Sequence, residues 1–349
     1  MIATIGYAAQ HAGDELAAIR FDRRDPGPKG VHIRVLWCGI CHSDVSMVEN
    51  DWGASLFPMV PGHEIVGQVV EVGAEVEKLR PGDIAAVGCM IDSCRICLHC
   101  KSGLEQYCDA TPTSSFSSYE RGSHNLVFGG FSNTYIVDER FALKVPSSIE
   151  PARAAPLLCA GITTYSPLRH WKAGPGTRVG VVGIGGLGHL AVKLARAMAA
   201  EVVAITSSQA KRVEAIKLGA HQVIVSSDKT DMKANSGRLD FIVDTVSADH
   251  DVEALLNLLR TDGTLCMLGI PRKPLIVPPL QLETKRRSIA GSIMGGMPET
   301  QEMLEFCGVH GIAADIEVVP IQDVNKAFAR LKRNDVRYRF VLDMSSLLS

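Results

Sequence analysis

The strongest constraint on the fold is a glycine-rich turn between a predicted strand and a predicted helix. An apolar strand is predicted at 178–182 and a helix at 187–200, and Gly183-x-Gly185-Gly186-x-Gly188 links them. In a dinucleotide-binding turn the first glycine permits the tight turn, the second admits the pyrophosphate and the third lets helix and strand pack. The amino terminus of the helix offers free N–H groups to phosphates. The residues expected to contact a cofactor are Gly183, Gly185, Gly186, Leu187 and Gly188; a glycine turn without a ligand is the alternative.

Strands and helices alternate on both sides of this turn. A helix is predicted at 151–160 as the chain enters this part, strands at 201–205, 222–225, 239–243 and 264–268, and helices at 209–218 and 252–259. This alternation predicts an α/β fold with a parallel, doubly wound sheet. The residues before Pro146 instead predict an irregular β-rich domain, with strands at 31–35, 65–72 and 84–87. We expect the tail to return to that domain, which gives 1–154 with 295–349 as one domain and 155–294 as the other.

Four cysteines of one short loop have the spacing of a metal site. The loop reads Cys94-x2-Cys97-x2-Cys100-x7-Cys108, within a predicted lobe at 89–110. Four thiolates form a closed tetrahedral zinc site, which has a structural rather than a catalytic role. An iron–sulfur cluster also uses four thiolates and is the alternative, as is a chance grouping of thiols.

A second, denser patch carries candidate catalytic ligands. Cys41 and His63 are metal ligands by type, and a catalytic zinc needs a third protein ligand. Cys159 is the best candidate because it lies at the predicted domain boundary, although a lone cysteine there is also compatible with a small buried apolar residue. We expect Asp44 to orient the ligating histidine and Glu64 to be either an outer acid or an exchangeable ligand.

The turn after the strand at 201–205 bears on the choice of nicotinamide cofactor. An acid there would bind a ribose 2′-hydroxyl, but the segment 206–212 contains none. It offers hydroxyls and two cations that suit a 2′-phosphate: Ser207, Ser208, Lys211 and Arg212. NADP(H) is therefore predicted, with a solvated helix face as the alternative role for the two cations.

Charge and cysteine usage exclude several classes of function. The net charge of −2 gives no electrostatic reason to bind nucleic acid or an anionic membrane. Residues 1–10 show no secretory signal, and the most apolar region, 179–205, contains too many charges to span a bilayer. Ten cysteines in such a chain are expected to be thiols or metal ligands, and a cytoplasmic location is predicted.

Several long motifs together resemble the zinc-dependent medium-chain alcohol dehydrogenases. They are Cys41-His42-Ser43-Asp44, Gly62-His63-Glu64-Ile65-Val66-Gly67, the four-cysteine loop and Cys159. The segments 87–94, 158–168, 183–189 and 335–341 are similar to the cinnamyl-alcohol-dehydrogenase-like subgroup, which includes bacterial NADP-dependent aldehyde reductases. The resemblance implies a GroES-like catalytic domain, a Rossmann domain and two zinc ions per chain. It also implies Cys41, His63 and Cys159 as ligands of the catalytic zinc.

The resemblance implies a mechanism, from which this chain departs at one position. Zinc polarises the aldehyde carbonyl, NADPH delivers hydride and Ser43 donates the proton. The subgroup commonly has histidine three residues after this hydroxyl, where this chain has Ser46. Either Ser46 and water, or His42, would complete the proton path.

Further site residues are implied by the resemblance alone. Cofactor contacts are implied near Thr163, Thr245 and Ser292, and substrate contacts at Trp52, Phe57, Met90, Ile293 and Met294. The expected substrates are aromatic or medium aliphatic aldehydes and alcohols, and the expected assembly is a homodimer. A polyol or sugar dehydrogenase of the same fold is the main alternative. A zinc-free quinone reductase would lack both metal motifs, and a zinc-stabilised nucleic-acid-binding protein would lack the glycine turn and have a basic face.

Overall fold

The structure, a computed structural model, describes residues 1–348 and divides into two compact units. One unit is Met1–Cys159 with Gly295–Ser349, and the other is Ala160–Met294. The strands β1 to β17 are Ile2–Ala8, Ala17–Arg23, Gly30–Ile40, Ile65–Val72, Ile84–Val87, Met90–Asp92, Thr113–Ser114, Thr134–Asp138, Leu143–Lys144, Arg178–Val182, Glu201–Thr206, Gln222–Val225, Leu239–Asp244, Leu259–Met267, Ser288–Gly291, Ile316–Pro320 and Arg339–Asp343.

The helices α1 to α11 are His42–Val48, Leu98–Lys101, Pro151–Ala154, Ala160–His170, Gly188–Ala197, Arg212–Leu218, Lys229–Ala234, Val252–Leu258, Pro279–Glu283, Met297–His310 and Val324–Lys332. Short 3-10 helices cover Glu105–Tyr107, Glu139–Phe141, Ala155–Leu158, Gln209–Lys211, Ile321–Asp323 and Met344–Leu348. Across residues 1–348, no helix is long and apolar enough to cross a membrane.

The second unit is built on a six-stranded parallel sheet with the order β12-β11-β10-β13-β14-β15. Its central strands are apolar and almost fully buried, as strands covered by helices on both faces must be. The order reverses between β10 and β13, whose last residues Val182 and Asp244 are register partners. Ligands of such sheets bind at the carboxyl ends of the strands beside this reversal. The doubly wound parallel sheet predicted from the sequence is thereby confirmed.

The first unit contains a seven-stranded, mainly antiparallel sheet. Its order is β16-β17-β3-β4-β5-β9, and β8 also pairs with β3. Strand β17, from the carboxyl-terminal tail, pairs antiparallel with β3, so that Phe340 lies opposite Ile40. The tail therefore contributes strands directly to the sheet that leads into the Cys41 motif.

The helix expected at 151–160 is interrupted, and that part of the prediction is wrong. Helix α3 ends at Ala154, a 3-10 helix covers Ala155–Leu158, and Cys159 has φ −122° and ψ −73° before α4 begins. Pro156 has no N–H and cannot continue a regular hydrogen-bond ladder. The interruption places Cys159 between two helices rather than on one helix face.

Candidate metal and cofactor sites

Four side chains of the first unit converge on one point. A sulfur, nitrogen or oxygen atom of each of Cys41, His63, Glu64 and Cys159 lies within 4.8 Å of the others. Cys41 is the residue before α1, His63 and Glu64 directly precede β4, and Cys159 occupies the break after the 3-10 helix. Cys41, His63 and Glu64 are buried. Two turns and one helix break thus bring together residues that are far apart in sequence.

Asp44 forms hydrogen bonds with two of these ligands, Cys41 and His63. Its Oδ1 lies 3.0 Å from His63 Nδ1 and accepts the backbone N–H of Gly62 at 3.0 Å, while Oδ2 accepts the N–H of Cys41 at 2.8 Å. Because a carboxylate only accepts, His63 carries its proton on Nδ1 and presents Nε2 to the metal position. This is the arrangement by which an outer carboxylate orients a metal-ligating histidine.

Glu64 is tied to an arginine that the sequence analysis did not select. Arg339, on β17, is buried and donates through Nη2 to Glu64 Oε1 in a short ion pair. Glu64 Oε2 is buried and has no hydrogen-bond partner. A β-carbon at Gly39 would lie 1.9 Å from this oxygen, so only glycine leaves room for the carboxylate. A buried carboxylate oxygen without a partner beside two thiols fits a site for a cation.

Electrostatics around the ligands favour one thiolate. The hydrogen bond from Cys159, 3.8 Å away, lowers the pKa of Cys41 well below its usual range, and the charge of Arg339 lowers it further. The same bond raises the pKa of Cys159. Burial opposes a charge on His63, but the charges of Asp44 and Cys89 and the hydrogen bonds to Asp44 and Cys41 together outweigh it and raise the pKa of His63. Metal binding must therefore displace protons from this site.

The sulfur separations match tetrahedral zinc. With Zn–S bonds of about 2.3 Å, two tetrahedral sulfur ligands lie about 3.8 Å apart. Cys41 Sγ and Cys159 Sγ are 3.8 Å apart, and Cys94 Sγ and Cys100 Sγ in the loop are 3.9 Å apart. In each donor set, this pair of sulfurs therefore has the spacing of two ligands of one zinc ion.

The four loop cysteines form a closed set. One sulfur from each of Cys94, Cys97, Cys100 and Cys108 lies within 4.8 Å of the others. Backbone N–H groups point at three of the sulfurs, for example Cys94 N at Cys108 Sγ (3.3 Å) and Cys97 N at Cys94 Sγ (3.4 Å). Such bonds to the sulfur lower the pKa of Cys94 to about 6. Four thiols from one short loop can fill all four positions of a tetrahedral zinc ion, which is typical of a structural site rather than a reaction centre.

The predicted proton-transfer residues lie on α1 beside the buried ligands. Ser43 Oγ lies 3.6 Å from Cys41 Sγ. Ser46 is one helical turn further on and half-buried. His42, the first residue of α1, is exposed, and its ring meets the carbonyl of Leu331. Ser43 thus places a hydroxyl within reach of a ligand sulfur.

The glycine turn of the second unit has the geometry expected of a phosphate loop. Gly183 has φ +83°, which only glycine adopts readily. A β-carbon on Gly185 would meet no atom within 4 Å, so the space above the turn is open. A β-carbon on Gly188 would lie 1.8 Å from the Gly183 carbonyl oxygen, which shows how closely α5 approaches the strand. Gly186 and Leu187 complete the turn before α5 begins at Gly188.

The two cations predicted to bind a 2′-phosphate differ in their surroundings. Lys211 Nζ donates to the carbonyl of Ile184 at 3.0 Å and is therefore held at the glycine turn. Arg212 faces Asp231 instead, with Nη2 3.5 Å from Oδ2. Ser207 and Ser208 follow directly after β11, and Ser207 is exposed. This geometry favours Lys211 over Arg212 as the phosphate-binding cation.

The remaining predicted residues are distributed over both units. In the first unit Met90 is buried, Phe57 is half-buried and Trp52 is 48% exposed. In the second unit Thr245 and Ser292 lie directly after β13 and β15, at the carboxyl edge of the sheet, and Thr163 lies on α4. Ile293 and Met294 follow Ser292, and Ile293 is 51% exposed. The roles of these eight residues stay predictions.

Arg339 is the main site residue that sequence reasoning missed. A signal was present, because this arginine directly precedes the apolar run Phe340-Val341-Leu342 of a predicted strand. A charge in a buried strand requires an opposite charge nearby, but the sequence does not show that the partner is Glu64, 275 positions away.

Comparisons with known proteins cover nearly the whole chain. Residues 27–147 match the model of the alcohol dehydrogenase GroES-like domain, and residues 186–308 match that of the zinc-binding dehydrogenases. Aldehyde reductase YahK of Escherichia coli (strain K12) is 50% identical over 342 residues, 97% of each chain. A probable mannitol dehydrogenase of Fragaria ananassa is 49% identical over 98% of this chain and 96% of its own length.

A solved structure agrees with these matches. The crystal structure of CAD from Helicobacter pylori, complexed with NADP(H), has a TM-score of 0.92 and 35% identity over 99% of both chains. The similarity therefore extends over both units.

Proposed function

The chain belongs to the zinc-dependent medium-chain alcohol dehydrogenases, within the subgroup similar to cinnamyl alcohol dehydrogenases, and on that premise we propose that it reduces aldehydes with NADPH and oxidises the corresponding alcohols with NADP⁺. The observation that supports this most directly is the set of Cys41, His63, Glu64 and Cys159, in which Asp44 orients the His63 ring. Two thiols and one imidazole are three protein ligands, the number typical of a catalytic zinc site, whereas a closed structural site has four.

The bound groups and the chain divide the reaction between them. When bound, zinc supplies Lewis acidity toward the carbonyl oxygen and NADPH supplies the hydride. Cys41, His63 and Cys159 are the residues that would bind the metal, and Asp44 fixes the His63 ring so that Nε2 faces it. The positive charge of Arg339 balances the negative charge of Glu64. Glu64 therefore adds a carboxylate oxygen to the site without adding net negative charge.

Ser43 has the position of the proton donor. Its hydroxyl lies 3.6 Å from Cys41 Sγ, on the first turn of α1. As the carbonyl is reduced, negative charge develops on its oxygen, and Ser43 donates its proton there. Ser46, on the next turn, or His42 then returns a proton to Ser43. Ser43→Ala should therefore lower kcat strongly with NADPH binding intact.

The preference for NADPH over NADH is carried by the turn after β11. Segment 206–212 has no acid to repel a 2′-phosphate, while Ser207 is exposed and Lys211 is fixed at the glycine turn. Ser207→Asp introduces the missing carboxylate and should shift kcat/KM toward NADH. A wild-type enzyme with higher kcat/KM for NADH than for NADPH would refute the assignment.

A polyol dehydrogenase is the second candidate, and the similarity to a probable mannitol dehydrogenase favours considering it. The two candidates differ in the compounds that they convert: the aldehyde reductase reduces aldehydes, and the polyol enzyme oxidises sugar alcohols. We expect NADPH oxidation with benzaldehyde, lost on zinc chelation and recovered with zinc. Oxidation of mannitol or sorbitol without turnover of benzaldehyde would select the polyol enzyme instead.

A homodimer is proposed from the edge of the second unit's sheet. Strand β15 pairs with β14 and has no partner on its other side in the described chain. Large apolar side chains of the same unit are exposed in the segment that connects β14 to β15: Ile270, Leu275, Ile276 and Leu280. A second copy would pair the edge and cover these side chains. Light scattering should show a dimer for the wild type and a monomer for Ile276→Glu; a monomeric wild type would end the proposal. The cytoplasmic location stays a prediction.

A further inference from the structure

The loop between β13 and α8 is packed against the glycine turn. Thr245 donates its hydroxyl to the Val182 carbonyl at 2.7 Å, and its backbone N–H bonds the same carbonyl at 3.1 Å. A β-carbon on Gly183 would lie 2.8 Å from Val246 Cγ2 and 3.0 Å from Thr245 Oγ1. The shape of the turn thus depends on where Thr245 and Val246 are placed.

Asp244, the last residue of β13, determines that placement. Its side chain is fully buried; Oδ1 accepts the N–H of Val246 at 3.0 Å, and Oδ2 lies 2.6 Å from His250 Nε2. Its backbone carbonyl accepts the N–H groups of Leu268 and Gly269 at 2.8 and 3.1 Å. One residue therefore joins the loop to both β13 and the end of β14.

His250 closes the loop with both ring nitrogens. Nδ1 lies 2.8 Å from the Ala248 carbonyl oxygen, which can only accept, and Nε2 faces the Asp244 carboxylate. The arrangement thus needs a proton on Nδ1 and a second proton between Nε2 and Oδ2. The ring is largely buried, with 19% of its side chain exposed. A neutral His250 beside an ionised Asp244 would lose one of the two bonds.

The groups around this pair favour the second proton. Burial lowers the pKa of His250, but the Ala248 carbonyl and the Asp244 and Asp251 carboxylates outweigh it and raise that pKa overall. Burial likewise raises the pKa of Asp244. From β14 the pair is faced by the Cys266 thiol, whose pKa is raised to about 12 by burial and by Asp244, so that it stays neutral. Nearby Asp249 is paired with Lys273.

We propose that Asp244 and His250 are positioning residues for NADP(H): as a protonated pair they clamp the Thr245–Val246 segment against the glycine turn and so fix the shape of the cofactor site. This inference rests on the proposed function, because it assigns the pair to the cofactor of that reaction. Neither residue needs to touch the cofactor, since both act through Thr245 and Val246. Loss of the clamp should weaken NADPH binding and leave the zinc sites of the first unit unchanged.

The test compares three variants with the wild type by NADPH fluorescence titration, zinc content and thermal unfolding. His250→Ala removes the clamp and should raise the Kd for NADPH about 10–100-fold, the factor for losing one hydrogen bond between charged groups. Asp244→Asn keeps the shape: Oδ1 still accepts from Val246, and Nδ2 donates to the Nε2 of a neutral His250. Its Kd near neutral pH should stay within about threefold of the wild type, within the usual scatter of a preserved contact.

The matched control lies on the same strand at its other end. Asp240 accepts the Arg178 N–H at 2.7 Å and pairs with Arg260, away from the glycine turn. Asp240→Ala should lower the unfolding temperature with no change in the Kd for NADPH. If Asp240→Ala and His250→Ala weakened NADPH binding equally, the effect would be loss of stability, and the clamp would be refuted.

The pH dependence separates the clamp from a purely structural pair. The wild-type clamp is complete below the pKa of His250 and opens as the pH rises through it, so the Kd for NADPH should rise at alkaline pH. In Asp244→Asn a proton on His250 Nε2 would face the amide N–H group, so that two donors would meet. NADPH binding by this variant should therefore weaken at acid pH instead. Identical pH profiles for the two proteins would overturn the proposal.

Failure of the clamp and failure of the proposed function give different results. If the wild type bound no NADPH at any pH, the proposed function would fail. If the wild type bound NADPH and His250→Ala bound it equally well, only the clamp would be refuted.

Discussion

Replacing Asp44 by asparagine tests how the catalytic metal position is built. Asp44 accepts three buried hydrogen bonds, from Gly62 N, His63 Nδ1 and Cys41 N. Asparagine can keep the two bonds on Oδ1, but its Nδ2–H group then faces the N–H of Cys41. One buried donor loses its partner, at a cost of about 1–3 kcal/mol in unfolding free energy. The full truncation, Asp44→Ala, would orphan all three donors.

The larger effect of Asp44→Asn should be on zinc. A neutral amide makes His63 a weaker ligand, and loss of an outer-shell carboxylate typically costs about 10–100-fold in metal affinity, or about 1.4–2.7 kcal/mol. The assay is competition for zinc with a chromogenic chelator, alongside thermal unfolding of the zinc-loaded protein. One zinc per chain should become easier to remove, while the zinc of the four-cysteine loop keeps its affinity.

An exposed pair offers the matched control for this substitution. Asp14 Oδ2 lies 3.1 Å from His11 Nδ1 on the surface, so that Asp14→Asn makes the same chemical change without burial. It should alter neither zinc affinity nor unfolding by more than about 0.5 kcal/mol. If Asp44→Asn lost zinc to the chelator no more readily than Asp14→Asn, Asp44 would not orient a metal ligand.

Three further predictions concern the surroundings of the two metal sets. Arg339→Met leaves Glu64 buried without its cation and should cost the zinc-free protein about 3–5 kcal/mol in denaturant unfolding; a loss below about 1 kcal/mol would contradict the buried ion pair. Gly39→Ala should displace the Glu64 carboxylate, because the new β-carbon would lie 1.9 Å from Oε2, and so reduce zinc affinity at this site; unchanged competition with a chelator would speak against it. Cys100→Ser should remove the structural zinc, which elemental analysis measures. It should also lower the unfolding temperature in calorimetry without raising the Kd for NADPH in titration. A variant that kept both zinc ions would show that this thiol is not a ligand.

Local patterns predicted the strands well because burial dictates their composition. Ile65–Val72, Ile84–Val87, Arg178–Val182 and Gln222–Val225 begin and end where the apolar runs do. The glycine turn was equally visible, since its steric needs leave few other residues possible. The break at Cys159 was not anticipated, because a short apolar run containing proline is compatible with both an α-helix and a 3-10 helix.

The parts of the sites that escaped prediction depend on tertiary contacts. The pairing of Glu64 with Arg339 requires β17 to enter the sheet beside β3, which no local pattern specifies. The same holds for Arg212, whose ion pair with Asp231 depends on how α6 and α7 meet β12. Residue types and spacing predicted candidate metal ligands and phosphate-binding cations. Which charged side chain pairs with which depends on the tertiary fold.

In the proposed function, Cys41, His63 and Cys159 bind the zinc on which NADPH-dependent aldehyde reduction depends. The most direct test of this proposal measures zinc per chain and NADPH turnover with benzaldehyde on the same samples of wild type and Cys159→Ser. We expect two zinc ions and turnover for the wild type. For the variant we expect one zinc ion and turnover reduced by more than about 100-fold. A Cys159→Ser protein that retained both zinc ions and near-normal turnover would contradict the proposal.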